Sequence, residues 1–166
     1  MIEKRKGQLK ISFGMIFSII LIVVFLAFAF YAIKTFIEFQ DNAKTEVFLD
    51  DLQKDVNRIW RSFESSESRE YFVSSKVDFV CFIDFDSNAK GENSVFYSEL
   101  ERAHYSGENL AFYPVKFTGS ESAQIMNLDI EKTTLEENPL CIEANGGKIS
   151  LILNKDQGTL VSVEKI

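Results

Sequence analysis

From Ile11 to Ala32 the chain runs 22 residues without a charged side chain, and only Ser12, Ser18 and Tyr31 break its apolar character. As an α-helix this segment rises ~33 Å, enough to cross a hydrocarbon layer of ~30 Å. A cleavable secretory signal usually has an apolar core of roughly 7–15 residues, so this run is long for that role. Ala27-Phe28-Ala29 imitates the small residues of a cleavage site, but bulky phenylalanines surround it. A retained transmembrane helix over 11–37 is therefore the expectation, ahead of a cleaved signal or a buried core helix.

Charge sets the orientation. Residues 1–10 hold Lys4, Arg5, Lys6 and Lys10 against Glu3, a net of +3, so the rest of the chain carries −10 of the total of −7. Beyond the apolar run, Lys34 and Lys44 are diluted by Glu38, Asp41 and Glu46. The positive-inside bias puts residues 1–10 in the cytoplasm as a basic segment and residues from about 38 onward outside the cell membrane. An acidic body repels phosphate, so no nucleic-acid partner is expected; the partner of the apolar run is the lipid bilayer.

Lys6-Gly7-Gln8, followed by the apolar helix, resembles the class III signal peptide of archaeal type IV pilins and related surface-filament proteins. The resemblance covers about 25 residues, with Gln8 and Phe13 in family positions. It implies a prepilin peptidase cutting between Gly7 and Gln8, an apolar helix retained in the mature subunit, and assembly with other pilin-like subunits. Lys10 stands where the family usually has serine, and Ser12 where it usually has glutamate. Those departures favour a minor subunit, or an uncleaved anchor of similar design, over a bulk structural pilin.

No Gly lies between Gly14 and Gly91, and no Pro precedes Pro114, so the strongest local breakers are missing over 76 residues. Phe48, Leu52, Val56, Ile59 and Phe63 recur at helical spacing, with Asp50, Asp51, Lys54, Asp55, Arg58 and Arg61 opposite. One helix is thus expected from about 11 to 64, with an amphipathic extension over 38–68. Its apolar stripe needs cover, either the sheet that follows or a second copy's helix.

Residues 69–166 are expected to form a β-rich domain outside the membrane. In 75–88, Val77, Phe79, Cys81, Ile83 and Phe85 share one strand face while Val80 and Phe82 make the other apolar, which predicts a central strand. Residues 109–117 predict another, with Pro114 suggesting an edge or bulge. Weaker strand patterns occupy 94–100 and 123–130. Residues 139–144, 148–154 and 159–165 predict an antiparallel meander, its first turn at Asn145-Gly146. The fold class expected is α+β: a long N-terminal helix, transmembrane then amphipathic, packed on an antiparallel sheet in pilin-like fashion.

Cys81 and Cys141 are the only cysteines. An even count in an exported domain favours a disulfide, against an alternative of two buried thiols that never meet. Two cysteines and the lone His104 cannot complete a zinc site, so no metal is expected. Asp84, Asp86 and Asn88 alternate as at the opening of a calcium loop, but Ala89 and Val95 occupy the positions that need glycine and glutamate. The same residues serve a strand end entering a turn. No nucleophile elbow, zinc-helix motif or phosphate loop is present, and no N-glycosylation sequon. The phenylalanines, Phe72, Phe79, Phe82, Phe96, Phe112 and Phe117 among them, are core material before they are a ligand groove. A non-enzymatic, cofactor-free membrane protein is expected; a single-pass protein with a partner-binding outer domain is the alternative. An exported hydrolase would need a polar cleft grouping Asp84, Asp86 and His104.

Overall fold

The computed structural model describes residues 13–115 and 122–166, apart from the side chains of Glu38 and Asn42. The chain divides into two compact units, Met1–Glu38 and Phe39–Ile166. One helix, α1 (Phe13–Trp60), contributes residues to both.

In the first unit, every helical residue from Phe13 to Ile37 is exposed. The richest 18-residue window of the helix has a mean hydropathy of 2.9, and none of it is buried. The hydroxyl of Ser18 donates back to the Gly14 carbonyl at 2.8 Å, which removes its one polar group from the surroundings. By length and composition, this helix can cross a membrane.

In the second unit the same helix turns amphipathic. Asp41, Thr45, Phe48, Leu52, Val56 and Ile59 are buried along one face, while Asp50, Asp51 and Lys54 stay exposed. The acid-first pair Asp50–Lys54 forms on that outer face at 2.5 Å. The helix ends at Trp60, earlier than the expected 64. There Ser62 donates to the Ile59 carbonyl through both its amide and its hydroxyl, at 3.0 and 2.6 Å.

The β-rich part contains two antiparallel sheets where one was expected. The first has the order β1 (Ser65–Phe72), β6 (Lys148–Lys155), β7 (Ser162–Lys165). The second has the order β4 (Ser122–Ala123), β3 (Leu110–Tyr113), β2 (Phe79–Phe82), β5 (Leu140–Glu143). Strand β1 corrects the expected helical extension to 68. Its polar sequence pairs with β6 along all eight residues, and of these only Tyr71 is buried.

The predicted meander breaks after its first strand. β5 leaves for the second sheet and pairs with β2, while β6 and β7 pair in the first. The turn from Asn145 to Lys148 carries positive φ at Gly146 and Gly147 rather than at Asn145. Reciprocal bonds of 2.9 and 3.2 Å between Asn145 and Lys148 close it. Two glycines satisfy the mirror-image turn geometry without any Cβ strain, so the turn settles one residue later than Asn-Gly alone predicts.

Residues 94–100 are helical, not a strand: α2 spans Ser94–Ala103. Phe96, Tyr97, Leu100 and Ala103 recur at helical spacing and cover one face of the second sheet. Residues 123–130 are mostly irregular; after β4 comes the short α3 (Ile130–Thr133), capped by the Asp129 carboxylate on the Lys132 amide. Pro114 follows β3, an interior strand, and lies outside it. Residues 116 and 117 of the strand predicted over 109–117 fall outside the described residues.

β2 lies between β3 and β5, as its two apolar faces predict. Val80 and Phe82 join the main core with the α1 stripe, Leu110, Phe112, Leu151 and Leu153. Cys81 and Ile83 join a second cluster under α2 with Leu100, Ala111 and Cys141. Phe72, expected in the core, is instead 62% exposed beneath the Lys148 ammonium. It ends β1 on the face that alternation turns outward.

Where α1 meets β1, charge supplements packing. Both Arg58 Nη atoms bond Glu67, at 2.7 and 3.0 Å, and Arg69 Nη2 adds a third bond at 2.6 Å. Arg58 above all holds the Glu67 carboxyl at about 2, well below its ordinary 4.5. A depressed carboxyl stabilises the fold above its unfolded value and stops doing so as pH falls through its folded one. The gap in thermal midpoint between the parent and Glu67→Gln is therefore expected to be constant above about pH 5 and to close between 4.5 and about 2. A gap that persists in full at the acid end would break this assignment.

Candidate functional site

Among the described residues, the exposed apolar helix and two clefts in the Phe39–Ile166 unit could carry function. Gly7 and Gln8, the expected processing residues, lie outside the described residues.

The helix changes character at a particular pair. Asp41 is 6% exposed, on the stripe that Phe48 continues, and Lys76 reaches its Oδ2 at 3.0 Å. Buried Thr45 is next along the same face. A carboxylate at a core position requires a partner; sequence reading missed the pair because Asp41 looked like one more solvated charge. Its signal was its spacing, seven and eleven residues before Phe48 and Leu52. Further along, Gln53 bonds both backbone groups of Met126, at 2.8 and 3.2 Å, and Asn57 accepts from Asn127 at 2.9 Å. The helix is thus joined to the β-rich part by polar contacts on both sides of its apolar stripe.

Cys81 and Cys141 face each other in the register of β2 and β5, 4.0 Å apart at Cα, and are joined by a disulfide. Both are buried. The bond ties the edge strand of the second sheet to an interior one.

The first cleft, about 830 Å³, is lined by Phe79, Phe96 and Ile142 from the second sheet and α2 and by Lys148, Ser150 and Lys165 from the first sheet. Its lysines are already engaged: Lys148 with Glu70 at 3.1 Å, Lys165 with Glu137 at 2.7 Å. Glu92 and Glu143 add carboxylates to the rim.

The second cleft, about 610 Å³, brings together Asp84, Asp86 and His104, with Tyr105, Glu108 and Asn109. The sequence names the three residues but not their meeting, since the turn after β2 delivers two of them and the end of α2 the third. Asp84 is engaged in local structure. Its oxygens accept from the Asp86 amide at 3.0 Å and the Ser87 hydroxyl at 2.6 Å. This is the turn-forming use of the Asp84–Asn88 segment, and among the described residues no three His, Cys, Asp or Glu side chains gather as a metal site. The His104 ring stacks on Phe85, centroids 3.9 Å apart and 15° from parallel. Its Nδ1 lies 2.8 Å from the Glu101 carbonyl oxygen, which can only accept, so Nδ1 is the donor in this bond.

The residue that shapes this cleft was not anticipated. Asn138 is fully buried; its Nδ2 donates to the carbonyls of Asp84, Ser87 and Asn88 at 2.8, 3.3 and 3.3 Å, and its Oδ1 accepts from the Asp84 amide at 3.1 Å. One side chain thus engages four backbone groups of the turn. The sequence shows Asn138 only as an asparagine before proline. Tyr97 fastens the same turn from α2, donating to the Ser87 carbonyl at 3.0 Å, and burial pushes its hydroxyl pKa upward.

Comparison with known protein families, curated proteins and solved structures finds no match to this chain.

Proposed function

We propose that this chain is a non-enzymatic, membrane-anchored surface protein of pilin-like design. Its residues 1–10 lie in the cytoplasm, and its β-rich unit lies outside the cell membrane. Within that reading it serves as a minor subunit of a type IV pilus-like filament or secretion assembly. Prepilin peptidase and other pilin-like subunits are its partners.

The observation that carries the proposal is the behaviour of α1. Its apolar half has no residue buried, and its later turns bury a stripe. A helix that is apolar all round and uncovered by its own chain needs lipid or a neighbouring protein as its surroundings. The disulfide supports an exported compartment, since such bonds persist where thiols are not kept reduced. The second reading, an uncleaved single-pass protein with a partner-binding outer domain, is favoured by the two clefts.

The intact mass and N-terminal sequence of the protein from native membranes distinguish these readings. Processing predicts a chain that begins at Gln8 and stays in the membrane pellet through alkaline extraction. A membrane-bound chain that keeps Met1 would favour the second reading. Release into the soluble fraction with an intact apolar segment would overturn both.

A further inference from the structure

We infer that the Asn145–Gly146 bond is a site of spontaneous covalent modification, at which the turn between the two sheets converts from asparagine to aspartate and isoaspartate. Asn145-Gly146 is the chain's one Asn-Gly pair. Its side chain is exposed and, among the described residues, makes no hydrogen bond. Asn88 is likewise exposed with no side-chain hydrogen bond among the described residues, but Ala89 follows it, and a Cβ there crowds the nitrogen that would attack. Six others, Asn57, Asn93, Asn109, Asn127, Asn138 and Asn154, differ in that their side chains are held.

The chemistry needs a main-chain nitrogen that can reach the side-chain carbonyl. The bonds that close the turn use the amides of Asn145 and Lys148 and leave the Gly146 amide out. A Cβ built on Gly146 would meet nothing within 4 Å, so this side of the turn is open space. After losing its proton, Gly146 N attacks Cγ of Asn145. A new N–Cγ bond closes a cyclic imide, the Cγ–Nδ2 bond breaks, and ammonia leaves with the proton it regains from water. Water then opens the ring at either carbonyl. One opening gives aspartate; the other reroutes the main chain through Cβ and Cγ as isoaspartate. No oxidant or reductant takes part.

Both products alter the larger cleft, which Asn145 lines. Each adds a carboxylate beside Glu70, Glu92 and Glu143. Isoaspartate also lengthens the backbone inside a turn closed by reciprocal bonds of 2.9 and 3.2 Å. That turn holds the Val73 amide on the Gly147 carbonyl at 2.9 Å, so the amide of Val73, a buried residue, reports on it.

The test ages the full chain in detergent micelles, in mildly acidic and mildly alkaline buffer, alongside a short unstructured peptide containing Ala144–Lys148. Peptide mass spectrometry follows each asparagine for a gain of about one dalton, and electron-transfer fragmentation separates aspartate from isoaspartate. The expected result is conversion at Asn145 ahead of every other asparagine, with both products present and several-fold faster in alkali. Val73 amide exchange should accelerate in the isoaspartate fraction. Asn145→Gln should fold, keep Val73 protected and remain unconverted. An Asn145 that stays intact after the peptide has fully converted, or that is overtaken by another asparagine, would overturn the inference.

Discussion

Phe48→Ala is expected to destabilise the Phe39–Ile166 unit by about 4 kcal/mol, the usual loss for removing a buried aromatic side chain and leaving its cavity. Phe48 is 1% exposed. Its ring meets Tyr71 of the first sheet edge-on at 5.6 Å and Phe112 of the second at 5.8 Å. One helical side chain therefore touches both sheets, and neither can close over the space it leaves without losing its contact to the other. Urea denaturation of the full chain in detergent, followed by circular dichroism, measures the loss. Val47→Ala is the control: Val47 is next in sequence but 59% exposed, and surface changes of this kind usually stay within about 0.5 kcal/mol. A Phe48 variant no weaker than this control would show that α1 does not hold the two sheets together.

Removing the disulfide should cost a similar amount by a different route. The bridge closes a loop of 60 residues, for which the chain-entropy account gives about 4 kcal/mol. The double variant Cys81→Ala/Cys141→Ala avoids an unpaired thiol and reports this directly. β5 is the edge strand of its sheet and β2 an interior one, so the weakening should concentrate at β5. Amide exchange at Ile142, which faces Val80 in the register, should rise more than at Ala111, whose strand has neighbours on both sides. Equal denaturation curves for the parent and the double variant would refute the effect.

What the sequence made legible was decided by pattern strength. The stripe Phe48, Leu52, Val56, Ile59 shows itself because burial there follows one clean period, whereas Phe63, expected to continue it, lies past the helix end and is exposed. β2 showed itself because both of its faces are apolar. β1 stayed hidden because Ser65, Glu67 and Arg69 are only half-buried, so alternation leaves no hydrophobic trace. Residues 94–100 misled because Val95-Phe96-Tyr97 has strand-like composition, while the contacts that fix α2 come from Ile83, Ala111 and the cystine, distant in sequence. The meander failed for a related reason: turn chemistry places β5 beside β6 along the chain but cannot tell which sheet each strand joins. The second cleft was beyond reach altogether, because Asn138 acts through backbone carbonyls 50 to 54 positions away.

The end of α1 has a mechanical consequence. Lys155, the last residue of β6 and 8% exposed, donates its ammonium to the carbonyls of Trp60 and, at 2.8 Å, Ser62. A cation there offsets the negative end of the helix dipole as well as satisfying its terminal acceptors. Traction along α1 is therefore shared between the four-residue linker and a direct tether to β6. β6 is the middle strand of its sheet, paired on both sides, so load that reaches it from the end of the helix is divided between two strand ladders.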